Sequence, residues 1–576
     1  MVINMKHLFK YFKSYKKEVI LAPTFKLLEA LLELLIPLIV ASIIDTGIKN
    51  NDVVYIIKMV LLMIGLGLVG LILSLIGQFF SAKAAVGFST KLRSDLFKKI
   101  QELTFSQIDQ MGTASLITKM TNDVNQMQTG INLTLRLFLR SPFVVFGAAI
   151  MASILVPELS YIFFITIGVL SIIVFGIILL TLPMYKKTNE HVDDVLEKTS
   201  ENLTGSRVVR AFTNESEEIK NFDNATNKLE KQQNKVGNLS FLMNPLTFIV
   251  VNLAIIVLIY SGALKVFDGL ILQGVVIALY NYMSQILVEL VKLANLIITM
   301  TKAIASGKRI GQIFELDSKI NIIDSNITTN NTDYITFDNV SLTYPLSNEP
   351  SLENINFSIK KGKTLGIIGG TGSGKSSLIH LLVRFYEVTS GNLYLNNKLI
   401  QSYDPLYLRD KIGIVMQKAN LFKGTIRDNI LWGNNFATDE EILEALKNAQ
   451  ALDIVNSKGG LDTEVEQFGR NFSGGQKQRL SIARALIKKP EILILDDSSS
   501  ALDYATDASL RKAIKNLSNN MTVIIISQRT TSIEYADSIL VLEDGEQAGF
   551  GSHQELLETC EVYQEIYYSA VKGGNK

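Results

Sequence analysis

Six apolar stretches in the first 310 residues constrain the fold of this chain more than any other feature. They lie at about 18–48, 55–80, 131–155, 158–183, 239–263 and 273–300. A bilayer core needs roughly 20 apolar residues per helix, and each stretch supplies that length. The sequence therefore predicts an α-helical membrane domain with six spans over residues 1–310, embedded in a lipid bilayer.

Composition agrees with a membrane protein and gives no support for a nucleic-acid partner. Hydrophobic residues make up 48% and charged residues 19% of the 576 residues, whereas soluble proteins are typically about 25% charged. The net charge is +1, so the chain has no basic excess of the kind that binds nucleic acid. The single cysteine, Cys560, excludes a disulfide within the chain.

The distribution of basic residues predicts the orientation of the spans. Lysines cluster between residues 6 and 17, before the first span, and further basic residues follow the second and fourth spans. The apolar run after the basic N-terminus is too long for a signal peptide, so it is interpreted as a retained first span. By the positive-inside rule, the N-terminus, both long loops and everything after about residue 311 are expected in the cytoplasm. The chain is accordingly predicted to be a multi-pass protein of the cell membrane.

A second domain is predicted after a polar, Asn-rich linker at 311–334. Strand-like runs follow it, "YITFDNVSLTY", "NINFSI" and "TLGIIGG", and the last leads into "GGTGSGKSSLIHLLVRFY". The pattern G-x-x-x-x-G-K-S between a strand and a helix is typical of a phosphate-binding loop, or P-loop. Residues 335–570 are therefore predicted to form an α/β nucleotide-binding domain.

The P-loop pattern assigns chemistry to specific residues. Backbone N–H groups would surround phosphate oxygens at the positive end of the following helix. Lys375 would reach the β- and γ-phosphates of a nucleotide, and Ser376 would ligate Mg²⁺. The predicted ATP-binding residues of this loop are Gly369, Gly370, Thr371, Gly372, Ser373, Gly374, Lys375, Ser376 and Ser377.

Two further motifs extend the nucleotide site. Asp496 ends the hydrophobic run "EILILD", and a carboxylate there suits Mg²⁺, although an acidic pair after a strand can also cap a helix. The stretch "NFSGGQKQRLSIARAL" predicts a second helix start able to bind an anion. Its first residues are Ser473, Gly474, Gly475 and Gln476.

Polar residues inside the first and sixth spans are candidates for a substrate cavity. Charged groups inside a bilayer are costly and usually face a cavity or a partner. An acidic stripe facing a central cavity would suit amphipathic cations. The alternative is that these residues pair with Lys292 or with cations of a partner chain. The candidates are Glu29, Glu33, Asn281, Gln285 and Glu289.

Six spans followed by "GGTGSGKSS", "FSGGQ" and "ILILDD" resemble a half-transporter of the ABC (ATP-binding cassette) exporters. The resemblance covers nearly the whole chain. It implies that two half-transporters pair and hold ATP between the P-loop of one and the signature motif of the other. It further implies ATP and Mg²⁺ as cofactors and an ATPase-coupled translocase activity. The acidic stripe of the spans adds the expectation of a small amphipathic, drug-like substrate.

The same resemblance implies roles for individual residues. Tyr344 matches the aromatic residue that stacks on adenine, and Gln417 matches the glutamine that touches Mg²⁺ and links to the membrane domain. Ser473 to Gln476 match the signature, which acts on the ATP of the partner. Asp503, at the end of "SALD", matches the loop that couples the two sites. The tips of the long cytoplasmic loops, near "TASLITKM" and "GSRVVRAF", match the coupling helices.

Two residues depart from the family pattern. Asp497 stands where these exporters have a catalytic glutamate, and Gln528 stands where they have a switch histidine. A carboxylate drawn back by one methylene is poorly placed to activate water, since a misplacement of about 1 Å can cost on the order of 10²-fold in rate. Glutamine cannot carry the positive charge that an imidazole can share with the transition state.

These departures predict a specialised subunit. A degenerate catalytic pair beside an intact signature is typical of one subunit of a heterodimeric bacterial multidrug-type exporter, whose partner supplies the catalytic glutamate and the switch histidine. The chain would then hold ATP in a slowly hydrolysing site. The alternatives are a homodimeric lipid flippase or peptide exporter with an active aspartate site, and an ATP-gated channel subunit.

Overall fold

The chain divides into two compact units. The first comprises Met1–Gln101 with Ala114–Leu316, and the second comprises Glu102–Thr113 with Asp317–Lys576. The computed structural model describes residues 8–317, 322–323, 333–345, 347–498, 500–517 and 521–573. The start of the basic N-terminal flank and most of the predicted linker, 318–321 and 324–332, lie outside these ranges.

Long helices dominate the chain before residue 316. In chain order the helices are α1 (Lys16–Ser42), α2 (Val53–Glu102), α3 (Phe105–Met111), α4 (Thr113–Thr118), α5 (Val124–Leu137), α6 (Arg140–Leu155), α7 (Ser160–Thr204), α8 (Ser206–Ala211), α9 (Glu215–Phe241), α10 (Met243–Phe267) and α11 (Gln273–Glu315). All belong to the first unit except α3, the last residue of α2 (Glu102) and the first residue of α4 (Thr113), which belong to the second unit.

The prediction of six membrane spans is confirmed. Among the described residues, six helical segments are long and apolar enough to cross a membrane: Lys10–Ile48, Val53–Glu102, Thr113–Leu155, Pro157–Thr204, Glu215–Phe267 and Gln273–Glu315. They contain 39 to 53 residues, about twice the bilayer requirement, because the helices continue into the polar segments between the apolar stretches. The linker predicted from residue 311 is wrong at its start, since α11 continues to Glu315.

The first unit buries both small and large side chains between its helices and leaves other large apolar ones outside. Ala30 on α1 and Ala148 and Ala152 on α6 are fully buried, together with Tyr282 on α11. None of the most apolar part of α2 is buried within the chain. Close helix contacts through small residues and apolar outer faces are the packing expected of helices surrounded by lipid.

The second unit contains all the strands of the described residues. The strands are β1 (Ile335–Leu342), β2 (Leu352–Ile359), β3 (Thr364–Gly369), β4 (Ser390–Leu395), β5 (Lys398–Leu399), β6 (Ile412–Val415), β7 (Gly424–Thr425), β8 (Glu464–Val465), β9 (Ile492–Asp496), β10 (Thr522–Ile526), β11 (Ser538–Glu543) and β12 (Glu546–Gly551). The helices after β3 are α12 (Lys375–Leu382), α13 (Pro405–Asp410), α14 (Ile426–Leu431), α15 (Asp439–Asn448), α16 (Leu452–Lys458), α17 (Gly474–Leu486), α18 (Tyr504–Leu517), α19 (His553–Thr559) and α20 (Glu561–Gly573).

The strands form a six-stranded sheet in the order β12-β11-β3-β10-β9-β6, a four-stranded sheet in the order β2-β1-β4-β5 and a pair β7-β8. The four-stranded sheet is antiparallel, whereas β11, β3, β10, β9 and β6 run parallel. Every residue of β9 and β10 is buried, as expected for a parallel sheet covered on both faces. The strands predicted at "YITFDNVSLTY", "NINFSI", "TLGIIGG" and "EILILD" correspond to β1, β2, β3 and β9.

Candidate functional site

Four neighbouring parallel strands of the six-stranded sheet end at one edge. β10 lies between β3 and β9, with Ile526 opposite both Ile367 and Asp496, and β9 also pairs with β6. The carboxyl ends of parallel strands form the usual binding edge of such a sheet. The groups that follow these strands are the glycine-rich loop after β3, Asp496 with Asp497 at the end of β9, Gln528 after β10 and Gln417 after β6.

The glycine-rich loop has the backbone of a phosphate cradle. Gly374 has φ +88°, and a Cβ atom there would lie 2.5 Å from the carbonyl oxygen of Ser351. A larger residue at this position would therefore be strained and would clash. Thr371 and the two glycines beside it are exposed, and α12 begins immediately after Gly374. The loop thus presents backbone N–H groups and a helix N-terminus, which together fit a polyphosphate.

Lys375 lies inside this loop. Its ammonium group donates hydrogen bonds to the carbonyl oxygen of Gly369 at 3.0 Å and to Ser373 Oγ at 3.2 Å. The pKa of Lys375 is lowered by burial, and the negative charges of Asp496 and Asp497 oppose that shift. A cation held at the mouth of the loop is suitably placed for the β- and γ-phosphates.

Ser376 and Asp496 provide two adjacent oxygen ligands for Mg²⁺. Ser376 Oγ donates to Asp496 Oδ2 at 3.3 Å. Burial raises the pKa of Asp496 above its ordinary value, Asp497 adds to this shift, and the bond from Ser376 opposes it. A hydroxyl and one carboxylate leave the remaining octahedral positions for phosphate oxygens and water, which is how proteins usually bind Mg²⁺ with nucleotides.

Asp497 adopts a left-handed backbone conformation. Its φ is +45°, a region that aspartate and asparagine tolerate better than other residues with a side chain. Its backbone N–H donates to the carbonyl oxygen of Ile526 at 3.0 Å, and its own carbonyl accepts from Ser500 Oγ at 2.8 Å. These bonds fix Asp497 to the end of β10 at the same edge as the P-loop.

The backbone at Asp497 leads to a stability prediction. Asp497→Glu is expected to lower the free energy of unfolding of the nucleotide domain by about 0.5–1 kcal/mol, because glutamate lacks the local hydrogen bonding that helps aspartate adopt positive φ. The thermal unfolding midpoint of the full chain in detergent would be compared with that of Asp497→Asn, which should match the wild type. Equal midpoints for the glutamate and asparagine variants would contradict the prediction.

Gln528 and Gln417 are exposed at the same edge. Ser527, which precedes Gln528, donates its backbone N–H to the carbonyl oxygen of Ile367 at 3.1 Å. This bond holds the end of β10 against β3, next to the P-loop. Gln528, which is predicted to stand in place of a switch histidine, therefore follows β10. This strand lies between β3, which leads into the P-loop, and β9, which ends at Asp496.

Tyr344 is held against the P-loop helix α12. Its hydroxyl donates to Ser377 Oγ at 3.0 Å and lies 3.1 Å from His380 Nδ1, and its ring meets Tyr386 edge-to-face with centroids 4.8 Å apart. Burial raises the pKa of Tyr344 and lowers that of His380. The predicted adenine-stacking ring thus adjoins the phosphate loop. Sequence reasoning missed His380 and Tyr386, although His380 lies one helical turn after Ser377.

The signature residues form a capped helix start. Ser473 Oγ accepts from the backbone N–H of Gln476 at 3.3 Å, and Gln476 Oε1 accepts from the backbone N–H of Ser473 at 3.0 Å. This reciprocal pair is a capping box at the N-terminus of α17. Ser473 and Gly474 are exposed, and a Cβ atom on Gly475 would lie 2.8 Å from the carbonyl oxygen of Ala501. The positive end of α17 is therefore open to a ligand from outside the domain.

Asp503, the predicted coupling residue, caps α18. Its carboxylate accepts from the backbone N–H of Thr506 at 2.9 Å and from Thr506 Oγ at 2.7 Å. These bonds lower the pKa of Asp503. The carboxylate is exposed, so the helix cap leaves one side of it accessible.

A short loop helix before the predicted tip, α3, packs with the nucleotide domain. The helix α3 belongs to the second unit. The Phe105 and Phe385 rings lie 4.2 Å apart, Gln107 Nε2 donates to the carbonyl oxygen of Asp317 at 2.9 Å, and Tyr386 donates its hydroxyl to Asp109. The tip predicted near "TASLITKM" begins at Thr113, the last residue of this part of the second unit, and its docking stays a prediction. The tip predicted near "GSRVVRAF" lies in α8 of the first unit and stays a prediction.

Two acidic residues of the spans, Glu33 and Glu289, are paired within the chain. Glu289 accepts from Arg140 at 2.7 Å and from Lys292 at 2.7 Å, and Glu33 accepts from Arg140 at 2.6 Å. Ser141 Oγ also donates to Glu289 at 2.7 Å. The alternative of pairing with Lys292 is thus borne out for Glu289, and Arg140 pairs with both acids. The role of these residues in a substrate cavity stays a prediction.

Four of the five candidate substrate residues line one cavity of about 330 Å³. These residues are Glu33, Asn281, Gln285 and Glu289. The fifth candidate, Glu29, is not among the residues that line it and instead accepts from Lys26 at 2.7 Å. Lys26 also donates to Ser74 Oγ at 2.8 Å, so this second ion pair joins α1 to α2.

Comparison with known proteins places both units in one family. Residues 19–290 match the ABC transporter transmembrane region, and residues 352–500 match the ABC transporter domain. An uncharacterized ABC transporter ATP-binding protein of Bacillus subtilis, YfiB, is 36% identical over 98% of both chains. The corresponding Mycobacterium tuberculosis protein Rv1273c is 31% identical, over 97% of this chain and 96% of its own.

A solved structure shows the same fold. A bacterial Atm1-family ABC exporter with ATP bound superposes with a TM-score of 0.81, covering 96% of this chain and 98% of its own at 23% identity. The chain thus combines six membrane spans with an ATP-binding domain that lies on the cytoplasmic side. The chain belongs to the ABC transporter family and is an ATPase-coupled transporter with one membrane domain and one ATP-binding domain.

Proposed function

We propose that this chain is one half of a heterodimeric exporter, holding ATP in a slowly hydrolysing site and lending its signature helix to the site of its partner. One observation carries the proposal. Asp497 and Gln528 occupy the same sheet edge as the P-loop, while Ser473 keeps a complete capping box on α17. The groups that hold ATP are therefore retained, the two that would speed hydrolysis are altered, and the helix offered to the partner is intact.

The altered residues affect hydrolysis more than binding. Lys375, Ser376 and Asp496 supply the phosphate and Mg²⁺ contacts, and Tyr344 supplies the adenine contact. Asp497 would orient the attacking water, but its carboxylate ends one methylene short, and general-base catalysis depends on reach of about 3 Å. Gln528 can donate a hydrogen bond without adding positive charge. The bound nucleotide would persist through several cycles at the partner site.

The transported molecules are proposed to be amphipathic, drug-like compounds. The cavity of about 330 Å³ in the membrane domain has both polar and apolar walls. ATP binding would shift the transporter from an inward-open to an outward-open cavity, by an amount set by the difference in ATP affinity between the two states. A site that keeps its ATP would hold the nucleotide domains partly closed between cycles, which is a regulatory role.

One observation favours a second candidate, a homodimeric lipid flippase or peptide exporter with an active aspartate site. The left-handed φ of +45° at Asp497 gives aspartate a purely conformational reason to be there. In that case aspartate would be present because it tolerates this backbone conformation, and it would still act as the general base in ATP hydrolysis at a useful rate.

The two candidates differ in the activity of the chain purified alone. In liposomes, the full chain without a partner is expected to bind ATP but to release phosphate at least about 10²-fold more slowly than the complex with its partner, because both of its own catalytic positions are altered. The partner would be obtained by purification in mild detergent and identified by mass spectrometry. Neutralising the catalytic glutamate of the partner should then abolish the activity of the complex.

Nucleotide retention provides the control. The lone chain should still bind ATP, and Lys375→Ala should reduce that binding, which shows that low turnover does not reflect a misfolded domain. Rapid phosphate release by the chain without a partner would overturn the heterodimer and favour the homodimer.

A further inference from the structure

We infer that the membrane cavity takes amphipathic molecules whose polar head carries no net charge, neutral or zwitterionic, and disfavours cations. This rests on the proposed export of amphipathic compounds and adds the head-group chemistry. The polar cavity is defined by six polar residues on α1 and α11: Glu33, Asn281, Ser284, Gln285, Glu289 and Lys292.

The fixed charges of the polar cavity balance. Two acids, Glu33 and Glu289, meet two bases, Arg140 and Lys292, through contacts of 2.6–2.7 Å. Glu29 and Lys26, which form an ion pair within α1, also carry no net charge together. A ligand that brought a net charge of either sign would disturb a balanced network in a low-dielectric environment, where unpaired charges are costly.

The exposed ends of these pairs make a dipolar surface. The Glu289 side chain is only 3% exposed, whereas its partner Lys292 is 43% exposed. Glu33 is 35% exposed, whereas its partner Arg140 is 9% exposed. The cavity therefore presents one ammonium and one carboxylate, which suits a zwitterion or a neutral group with both donors and acceptors better than a point charge.

An unsatisfied acceptor adds a requirement for a donor. Gln285 Oε1 is buried and has no hydrogen-bond partner among the described residues, and Gln285 lines the cavity. Leaving such an atom unpaired costs about 1–3 kcal/mol, so a turn of the Gln285 amide that brings Oε1 into the cavity against a ligand N–H or O–H would be favoured. Ile36, Val40 and Val288 line the same cavity and would contact the apolar part of the ligand.

Ligand protection of an introduced cysteine tests the head-group preference without ATP hydrolysis. Cys560 is the only natural cysteine and is buried at 5% exposure, so Ser284→Cys introduces a reporter in the cavity. The full chain in lipid nanodiscs would be treated with a maleimide, and modification at residue 284 measured by mass spectrometry. The probes share an octyl tail: octanoyl glycinamide is neutral, octyl phosphocholine zwitterionic, octyl trimethylammonium cationic and octyl sulfate anionic.

The neutral or zwitterionic probe is expected to protect best. At a concentration about ten times its dissociation constant, it should slow modification about tenfold, whereas the two charged probes should give less than about twofold protection. Thr301→Cys, an exposed position further along α11, should not be protected by any probe. Gln285→Leu should weaken protection by the neutral probe and leave unprotected labelling of Ser284→Cys unchanged.

Unbalancing the charges should change the preference in opposite directions. Lys292→Gln leaves an excess acid and should make the cationic probe protective, and Glu33→Gln leaves an excess base and should do the same for the anionic probe. Strongest protection of the unaltered cavity by either charged probe, or no protection by any probe, would overturn the inference. The measurement involves no nucleotide, so it fails or succeeds independently of the heterodimer and of the slow ATP site.

Discussion

Ser473→Asp is expected to reduce steady-state ATP hydrolysis by the assembled transporter about 10²- to 10³-fold. Aspartate keeps the N-cap of α17, since it is as good a capping residue as serine. It replaces a hydroxyl that would donate to the γ-phosphate of the nucleotide bound by the partner with a carboxylate that repels it. Loss of one preorganised donor to developing negative charge costs about 10²- to 10³-fold in rate. The readout is phosphate release by the purified complex in liposomes.

Matched variants separate the two sites. Ser473→Thr keeps both the cap and the hydroxyl and should retain at least about half of the activity. Asp497→Asn, at the proposed slow site of this chain, should change the steady-state rate less than about twofold, because such a site would contribute little turnover. If Asp497→Asn abolished hydrolysis while Ser473→Asp preserved it, the proposed roles of the two sites would be reversed.

The second prediction concerns the slow site itself. The double variant Asp497→Glu with Gln528→His is expected to raise its hydrolysis by about 10²-fold, because it restores the reach of the base and a group able to share positive charge. Under single-turnover conditions, the number of sites that release phosphate in one complex should rise from one to two. Quenched-flow measurement of phosphate released per mole of complex gives this count.

A third substitution identifies which site has been gained. Adding Lys375→Ala to the double variant should return the count to one, because the P-loop of this chain would no longer hold ATP. A count that remains at one in the double variant itself would show that the signature facing this site, rather than Asp497 and Gln528, limits its hydrolysis.

Features encoded locally could be predicted from the sequence. The spans were predictable because about 20 apolar residues in a row have few other uses. The P-loop was predictable because β3, the loop and α12 are contiguous, so one motif fixes strand, turn and helix together. The signature helix likewise begins at Ser473, where serine and Gln476 form the capping box that the spacing suggests.

Features that depend on distant contacts could not be predicted. Arg140 lies 149 residues from Glu289, so the spacing of polar residues along α11 gave no sign of the base that neutralises Glu289. Gln107 lies 210 residues from its partner Asp317, and α3 is a seven-residue helix without a strong apolar pattern of its own. The contact between Tyr344 and Tyr386 joins two loops, and neither residue type indicates the other.

The inclusion of α3 in the second unit has a consequence for exchanging parts between related transporters. If a nucleotide domain from a related transporter replaced the residues from 317 onward, Phe105 and Asp109 of this chain would remain. They would then face a domain surface from a different protein. The two separate segments 102–113 and 317 onward have to be transferred together if the contacts between them are to be preserved. Hybrids cut only once should therefore assemble poorly even when each parent does so well, and carrying the short piece across should rescue them.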